Sequence, residues 1–207
     1  MSENIGILDV GLGNIASVQR MIEAVGGQSV SINHPDKLQR IQKLIVPGVG
    51  SFGKAMHILE DTGFTNSLKS FAQERSNLIL GICLGMQLCC EYSDEGNVKG
   101  LGLVKGKVKH FSNCRGSEKY KVPHMGWNNV QVTKENSIFP EADEDTRFYF
   151  VHSYFVEMHD KSDTFLSTSY IKSFCSGYIF KNIIGVQFHP EKSHRYGKQL
   201  IKNFIKL

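Results

Sequence analysis

Short apolar runs alternate with amphipathic segments along the first half of the chain. Runs typical of buried strands are found at 4–10, 28–32, 43–50 and 77–82. Helical patterns cover 13–27, 53–75 and 84–92. Strands that alternate with helices predict a three-layer α/β fold, with a mostly parallel central sheet and helices on both faces.

The second half of the chain is rich in β-type segments separated by turn residues. They are GLGLVKGKVKHF, GWNNVQV, RFYFVHSYFVE, TFLSTSYI and NIIGVQF. A helical pattern over 193–207 follows them. Because no boundary or linker separates the halves, we expect the β-rich segments to extend or flank the same sheet. Residues 1–207 are therefore predicted to form one domain.

Composition narrows the class of protein. The 207 residues are 41% hydrophobic and 21% charged, with a formal net charge of +4, as in ordinary globular domains. The sequence has no arginine-rich stripe interleaved with aromatic residues, so it does not indicate nucleic-acid binding. No apolar run is long enough to span a membrane. The opening segment lacks the features of a secretion signal. The five cysteines show no CxxC or zinc-type spacing, so we expect a cytoplasmic protein with reduced thiols and no metal or cofactor.

The segment GICLG places Cys83 between Gly81 and Gly85 at the end of a predicted strand and the start of a predicted helix. Such spacing forms a tight turn that exposes a nucleophile. The positive end of the helix dipole favours the thiolate, and the Leu84 N–H becomes free to bind an oxyanion. A small buried core cysteine is the competing interpretation.

The segment GVQFHPE supplies the groups that a nucleophilic cysteine needs. His189 follows an apolar strand, and Glu191 lies two residues further on, so both side chains point to the same side of an extended chain. His189 could then act as base while Glu191 orients its ring. A strand-end histidine beside a surface glutamate is the alternative.

The segment PGVG, residues 47–50, is a glycine-rich turn after a predicted strand. Its backbone N–H groups, from Val49 or Gly50, suit a second oxyanion donor, although a plain turn would have the same sequence. The three segments all fall at the carboxyl ends of predicted strands, where open α/β sheets place their sites. Their joint presence favours one shared catalytic site.

With these residues in view, the chain resembles the class I (triad-type) glutamine amidotransferases. The matching segments run in order along nearly the whole chain: ILDVGLGNIASV, LIVPGVGSFGKAM, GICLGMQL, SDEG, GLGLVKGKV, VPHMGWN, FYFVHSYFV and GVQFHPEKS. The PHMGWN and FVHSY segments, with the short length, are most similar to the glutaminase subunits of imidazole glycerol phosphate synthase, which act in histidine biosynthesis. The chain departs from that pattern at Val10, usually Tyr, and at Ala16, often basic.

The resemblance implies roles for individual residues. Cys83, His189 and Glu191 match the triad, with Leu84, Val49 and Gly50 around the oxyanion. Gly50, Gln87, Glu95, His152, Ser153 and Tyr154 match the glutamine pocket. Trp127, Asn128, Tyr149 and Lys192 match the surface that faces a (β/α)8-barrel synthase subunit, the expected partner in a heterodimer. In the family, the peptide of the PGVG strand must reorient to complete the oxyanion hole when the partner is liganded.

The expected reaction is hydrolysis of L-glutamine through a thioester on Cys83, with release of glutamate and ammonia. Ammonia released into neutral water becomes ammonium, so a productive enzyme passes it through a dry path to a partner. Trp127, the only tryptophan, suits such an interface, because tryptophan is enriched at binding hot spots; a core position is the alternative.

Three other functions remain open from the sequence. The chain could donate ammonia to a different acceptor, such as a sugar amidotransferase of surface-polysaccharide synthesis. It could be a stand-alone cysteine hydrolase of γ-glutamyl compounds, which would turn over without a partner. It could also be a non-catalytic scaffolding subunit, although the intact triad residues argue against that.

Overall fold

The computed structural model describes residues 4–139, 143 and 145–207. Residues 1–3, 140–142 and 144 of the predicted single domain lie outside the described residues. The helices are α1 (Ile15–Ala24), α2 (Phe52–Asp61), α3 (Phe64–Gln73), α4 (Leu84–Leu88) and α5 (His194–Lys206).

The first seven strands are β1 (Ile5–Leu8), β2 (Ser29–Ile32), β3 (Lys43–Gly48), β4 (Leu78–Cys83), β5 (Tyr92–Ser93), β6 (Val98–Lys99) and β7 (Gly106–His110). The next seven are β8 (His124–Asn129), β9 (Gln131–Val132), β10 (Arg147–His152), β11 (Tyr154–Met158), β12 (Thr164–Ser169), β13 (Ser173–Phe180) and β14 (Ile183–Val186).

One large sheet organises the molecule, in the order β2-β1-β3-β4-β14-β13-β11-β7-β5-β6. The five strands β2, β1, β3, β4 and β14 are parallel. Strands β13, β11 and β7 continue the sheet in antiparallel pairings. Strand β12 pairs with β13 and β9, while β8 and β10 form a separate antiparallel pair. The predicted parallel sheet and β-rich second half are confirmed.

Helices cover both faces of the parallel strands. Side chains of α2, α3 and α4 pack in one hydrophobic cluster, whereas those of α1 and α5 pack in the other. On β3, Leu44 and Val46 face the first cluster and Ile45 faces the second. This alternation explains why the parallel strands are continuously apolar, since both faces of each strand are buried.

Two predicted helices differ from the structure, and one observed strand was not predicted. The helical pattern over 53–75 is two helices, because Gly63 adopts a left-handed φ of 74° between them. The helix predicted over 84–92 ends at Leu88, because the N–H groups of 101–104 bind the carbonyl oxygens of 88–90 and pull the chain into another path. Strand β13 was not predicted, since its Cys, Ser and Gly residues give no strong apolar alternation.

The apolar segment LILGICLGMQLCC is not a membrane segment in this fold, because it forms β4, the turn at Cys83 and the short helix α4. In the described part of the chain, no helix combines the length and the apolar character needed to cross a bilayer.

Candidate active site

Cys83 lies on a strained turn between β4 and α4. Its φ is 53° and its ψ is −107°, a backbone conformation that non-glycine residues rarely adopt. The flanking glycines permit the turn: a Cβ on Gly85 would collide with the Val46 carbonyl oxygen, and one on Gly81 would lie 2.7 Å from the Met86 nitrogen. The turn therefore holds the thiol at a fixed position above the carboxyl edge of the sheet, as expected of a nucleophile elbow.

Three strand ends meet at this turn. Gly48 at the end of β3 is the register partner of Cys83, and Val186 at the end of β14 is the partner of Ile82. The PGVG and GVQFHPE segments therefore flank the cysteine on opposite sides. Because parallel strands present their carboxyl ends at one edge, segments distant in sequence come together here.

His189 and Glu191 form a buried pair beside Cys83. Nδ1 of His189 is 2.7 Å from Oε1 of Glu191, and both side chains are almost fully buried. The carboxylate accepts the Nδ1 hydrogen, which leaves Nε2 on the far side of the ring. Nε2 has no hydrogen-bond partner among the described residues, and the His189 ring lines the same cavity as Cys83. This arrangement suits a histidine that exchanges a proton at Nε2.

The electrostatic surroundings favour a charged His189. Burial lowers the pKa of His189, but its interactions with Cys83 and with Glu191 outweigh burial and raise the pKa to about 9. At neutral pH the ring is therefore protonated and presents a positive charge to the sulfur. A neighbouring imidazolium stabilises a thiolate, the reactive form of cysteine.

A cavity of about 340 Å³ is lined by all but one of the predicted catalytic, oxyanion and substrate-binding residues. Its lining residues are Val49, Gly50, Cys83, Leu84, Gln87, Glu95, Pro123, Val151, His152, Ser153, Tyr154 and His189. Of the predicted catalytic, oxyanion and substrate-binding residues, Glu191 is the exception, because it lies behind His189 and contacts the ring. The volume is at the lower end of the usual range for small-molecule sites, about 300–1,000 Å³.

The predicted oxyanion donors Leu84 and Val49 differ in their availability. Leu84 begins α4, so its N–H has no acceptor within the helix. The N–H of Val49 donates to the carbonyl oxygen of Leu12 at 2.6 Å, and Gly50 follows with a positive φ of 102°. In this conformation the Val49 N–H is therefore occupied, and an oxyanion in the cavity could not bind it.

Two polar side chains form part of the pocket wall. Gln87 is buried and its Nε2 donates to the carbonyl oxygen of Tyr154 at 3.1 Å. Glu95 is half-buried, and its Oε2 accepts the N–H of Phe52 at the start of α2 at 3.0 Å. Glu95 is thus a fixed negative charge on the cavity wall, as a ligand ammonium group would require.

The strand-end segment His152–Ser153–Tyr154 is fixed by a chain of hydrogen bonds. His152 Nδ1 donates to the Tyr154 carbonyl oxygen at 2.7 Å, so His152 Nε2 must accept from His124 Nδ1 at 2.9 Å. His124 Nε2 then accepts from the Asn128 amide at 3.1 Å. Burial lowers the pKa of His124 to about 4 and that of His152 to about 3, so both rings are neutral at pH 7.

The sequence matches a known family over almost its whole length. Residues 6–207 match the family model described as glutamine amidotransferase class-I. The chain belongs to this family. The class-I amidotransferases therefore provide the fold in which Cys83 and its neighbours are to be interpreted.

Two curated relatives resemble this amidotransferase along their full length. It is 43% identical to a Methanococcus maripaludis protein named imidazole glycerol phosphate synthase subunit HisH 2, over 98% of each chain. It is 46% identical to a Sulfurimonas denitrificans protein named imidazole glycerol phosphate synthase subunit HisH, over 98% of this chain and 97% of that one.

A solved structure supports the fold of this amidotransferase independently. PurLQS from Thermotoga maritima superposes with a TM-score of 0.76 at 19% identity, over 100% of this chain and 99% of that one. At this level of identity the likeness concerns the fold, which agrees with the parallel sheet and the flanking helices described above.

An exposed aromatic patch lies beside the cavity of this amidotransferase. Trp127 on β8 is 45% exposed, and its ring contacts that of its strand partner Tyr149 edge-on at 6.3 Å. It also stacks parallel to His194 at 5.5 Å, and Lys192 Nζ lies 5.6 Å from the Tyr149 ring centroid. Among the four predicted interface residues, Asn128 differs, because its amide binds His124 and the Ser169 carbonyl oxygen within the chain.

One side chain that contacts the sulfur was not predicted from the sequence. Gln187 is fully buried, and its Nε2 lies 3.7 Å from Cys83 Sγ. It follows Val186, the register partner of Ile82, so it lies across from Cys83. The available signal was its position two residues before His189, in the segment that follows β14.

The described residues hold no group of three or more His, Cys, Asp and Glu side chains arranged to bind a metal ion. The remaining cysteines are separate from the site. Burial raises the pKa of Cys89 and Cys175 to about 12, and that of Cys90 well above its ordinary value. These thiols are un-ionised at neutral pH and chemically inert.

Proposed function

We propose that this chain is the glutaminase subunit of an imidazole glycerol phosphate synthase. It hydrolyses L-glutamine to glutamate and ammonia, and delivers the ammonia to a (β/α)8-barrel synthase subunit in a heterodimer. That partner makes imidazole glycerol phosphate and an aminoimidazole carboxamide ribotide. The observation that carries the proposal is that Cys83 and His189 line one cavity and Glu191 binds the His189 ring from behind, combined with the full-length similarity to proteins named HisH.

The first half-reaction forms a thioester. The Cys83 thiolate adds to the side-chain carboxamide carbon of glutamine, and the carbonyl oxygen becomes an oxyanion near the Leu84 N–H. The His189 imidazolium donates its Nε2 proton to the departing nitrogen, so ammonia leaves as a neutral molecule. Glu191 keeps Nδ1 protonated and stabilises the charged ring, as the acid does in other triads.

The second half-reaction releases glutamate. His189, now neutral, removes a proton at Nε2 from a water molecule that attacks the thioester carbon. The tetrahedral intermediate then collapses with Cys83 leaving as thiolate, which restores the starting thiolate–imidazolium pair. Every proton transfer uses the same ring nitrogen, which is the one that has no partner among the described residues.

Substrate recognition follows from the pocket wall. The negative Glu95 faces the α-ammonium group, while the backbone around His152, Ser153 and Tyr154 holds the α-substituents. Gln87 closes the wall behind the reacting carboxamide. The rigid hydrogen-bond chain from Tyr154 through His152 to His124 supports this assignment, because it fixes the backbone that would bind the substrate.

Coupling to the partner depends on the PGVG strand. Since the Val49 N–H is bound to the Leu12 carbonyl oxygen, the oxyanion hole has its Leu84 donor and lacks its second one. Reorientation of this peptide when the liganded partner binds would complete the hole. Loss of one such donor typically raises the activation barrier by ~2.7–4 kcal/mol, so the free subunit would turn over slowly.

The aromatic patch of Trp127, Tyr149 and Lys192 forms part of the partner-facing surface in this proposal. The exposure of Trp127 supports a docking role for this patch, and its burial under the partner would exclude water from the path that ammonia takes. Residues 1–207 act as one amidotransferase domain, and the protein works in the cytoplasm, where its thiols remain reduced.

One experiment tests the proposal and separates it from the alternatives. Glutamate release is measured with and without the barrel subunit, in the presence and absence of that subunit's nucleotide ligand. Strong stimulation by the liganded partner is expected. Full turnover without any partner would support a stand-alone hydrolase instead, and stimulation only by a different co-purifying acceptor would support another ammonia-consuming enzyme.

A further inference from the structure

The side chain of Gln187 contacts the Cys83 sulfur and is not part of the predicted triad. It follows β14 directly, is fully buried, and its backbone N–H is bound to the Ser176 carbonyl oxygen at 3.0 Å. Its carboxamide nitrogen lies 3.7 Å from Cys83 Sγ, within hydrogen-bond distance for sulfur. Gln187 and His189 therefore approach the sulfur from the same segment, which follows β14.

The orientation of the Gln187 amide is fixed by Gln87. Nε2 of Gln87 uses one hydrogen on the Tyr154 carbonyl oxygen, at 3.1 Å, and the other on Oε1 of Gln187, at 3.0 Å. Because Oε1 of Gln187 accepts from Gln87, the NH₂ group of Gln187 is turned towards the sulfur. The sulfur consequently faces a hydrogen-bond donor, which favours the anionic thiolate over the thiol.

We propose that Gln187 is a further catalytic residue, which stabilises the Cys83 thiolate by donating a hydrogen bond from Nε2 to Sγ. The same bond stabilises the sulfur when it leaves the thioester as an anion. Gln87 is then a positioning residue as well as a pocket wall, because it aims the Gln187 amide. The catalytic part rests on the proposed glutaminase function, whereas the effect on the thiolate does not.

A hydrogen bond to a charged group changes the equilibrium between thiolate and thiol about ten-fold to a hundred-fold. The pH dependence of alkylation by iodoacetamide measures that equilibrium and needs neither glutamine nor a partner, because the thiolate is the form that is alkylated. Modification of Cys83 and Cys114 is followed by peptide mass spectrometry in the same sample. Cys114 is half-buried and is not among the residues that line the cavity, so it serves as an internal reference.

Two variants remove the donor in different ways. Gln187→Met keeps the length of the side chain and has no polar atom. Gln187→Glu keeps an oxygen that accepts from Gln87 Nε2 but presents a second carboxylate oxygen to the sulfur. Gln199→Met is the matched control, since Gln199 lies on the exposed face of α5 and its amide binds only Asn203 among the described residues.

The expected result is that the pH midpoint of Cys83 alkylation rises by about one pH unit or more in both Gln187 variants, which corresponds to a ten-fold or larger shift of the equilibrium from thiolate to thiol. The midpoint at Cys114 stays constant, and Gln199→Met behaves as the unmodified chain. Labelling of the buried Cys89 reports unfolding; if Gln187→Met unfolds, Gln187→Glu decides, because it keeps the contact with Gln87. An unchanged midpoint for Cys83 in folded Gln187 variants would overturn the proposal.

Glutamate release measured on the same preparations separates this inference from the proposed function. If the unmodified chain released no glutamate with the liganded partner, the proposed function would fail while the alkylation result still stood. If glutamate release were normal and alkylation of Cys83 insensitive to residue 187, the inference would fail alone.

Discussion

The backbone N–H of Val49 is hydrogen-bonded to the carbonyl oxygen of Leu12 at 2.6 Å, within the loop that should complete the oxyanion hole. The bond joins the loop after β1 to the loop after β3. It keeps a donor out of the cavity that contains Cys83. In the proposed mechanism, this conformation leaves the Cys83 site with only part of its transition-state stabilisation.

This bond predicts a change in amide hydrogen exchange. In the free subunit the Val49 amide should be protected, because its hydrogen is bonded to Leu12. When the liganded barrel partner and a glutamine analogue bind, we expect the Val49 amide to lose that protection or to show a new chemical shift. The amide of Ile45, in the middle of β3, should stay protected throughout. Unaltered exchange at Val49 in the stimulated complex would rule out this mechanism of activation.

Glu191→Gln should change the pH dependence of turnover. Glu191 helps to raise the pKa of His189 to about 9, and the protonated ring must donate a proton to the leaving ammonia. Without the carboxylate charge, the pKa of His189 falls, so the alkaline limb of the kcat/KM profile should move to lower pH. The drop in kcat should be large, up to ~10⁴-fold by analogy with other triads.

The same pair contributes to stability with a definite sign. The pKa of His189 is raised above its ordinary value of 6.5, so the charged ring stabilises the folded state below about pH 6.5, and this contribution is lost as the pH rises through about 9. Glu191→Gln should reduce it, because the interaction with Cys83, which also raises this pKa, remains. If the alkaline limb of the kcat/KM profile lay at the same pH in Glu191→Gln and in the unmodified chain, that result would contradict the role given to Glu191.

Trp127→Ala should weaken binding of the barrel subunit while leaving the fold intact. The ring is 45% exposed and stacks on His194, so its removal creates no core cavity. A central aromatic residue at an interface commonly contributes ~2 kcal/mol or more, which is about a thirty-fold change in Kd. Leu207→Ala is the control, because Leu207 is equally exposed, at 45%, at the other end of α5. Calorimetric titration would exclude Trp127 from the interface if both variants bound equally.

His124→Gln should flatten the loss of stability in acid. Burial lowers the pKa of His124 to about 4 from its ordinary 6.5, so the unfolded chain binds more protons as the pH falls below about 6.5. Stability present above that pH is therefore lost towards pH 4. Glutamine can still donate to His152 and accept from Asn128, but it does not titrate.

Urea unfolding at several pH values measures the free energy of unfolding for this comparison. His57→Gln is the control for replacing a histidine by glutamine at an exposed position, since the His57 side chain is 74% exposed on α2. Equal slopes for His124→Gln and for the unmodified chain between pH 6.5 and pH 4 would show that His124 does not carry the effect.

The turn at Cys83 and the contact between His189 and Glu191 were predictable because their signals are local. The turn at Cys83 needs small residues at two fixed positions, and both Gly81 and Gly85 stand in tight contact with neighbouring backbone. Similarly, the His189–Glu191 bond joins residues only two positions apart, although they meet across a short 3-10 helix over Pro190–Lys192 and not along the extended chain that was expected. Parallel strands then bring these local features to one edge of the sheet, so the shared cavity followed from the strand–helix alternation.

Features that depend on long-range register were not predictable in this way. Gln187 reaches Cys83 only because β14 lies next to β4 with one particular alignment. The end of α4 at Leu88 is set by a loop that binds the carbonyl oxygens of 88–90 from 101–104. Likewise, the inward amide of Asn128 depends on His124 and on Ser169, which is 41 residues away.

We propose that Cys83 attacks glutamine in a reaction coupled to a barrel partner. The most direct test is glutamate release by the unmodified chain and by Cys83→Ala, each with and without the liganded barrel subunit. We expect strong stimulation for the unmodified chain, and at least a ~10⁴-fold loss for Cys83→Ala, whose complex still uses ammonium at raised pH. Retained turnover in Cys83→Ala, or full turnover of the unmodified chain alone, would contradict the account.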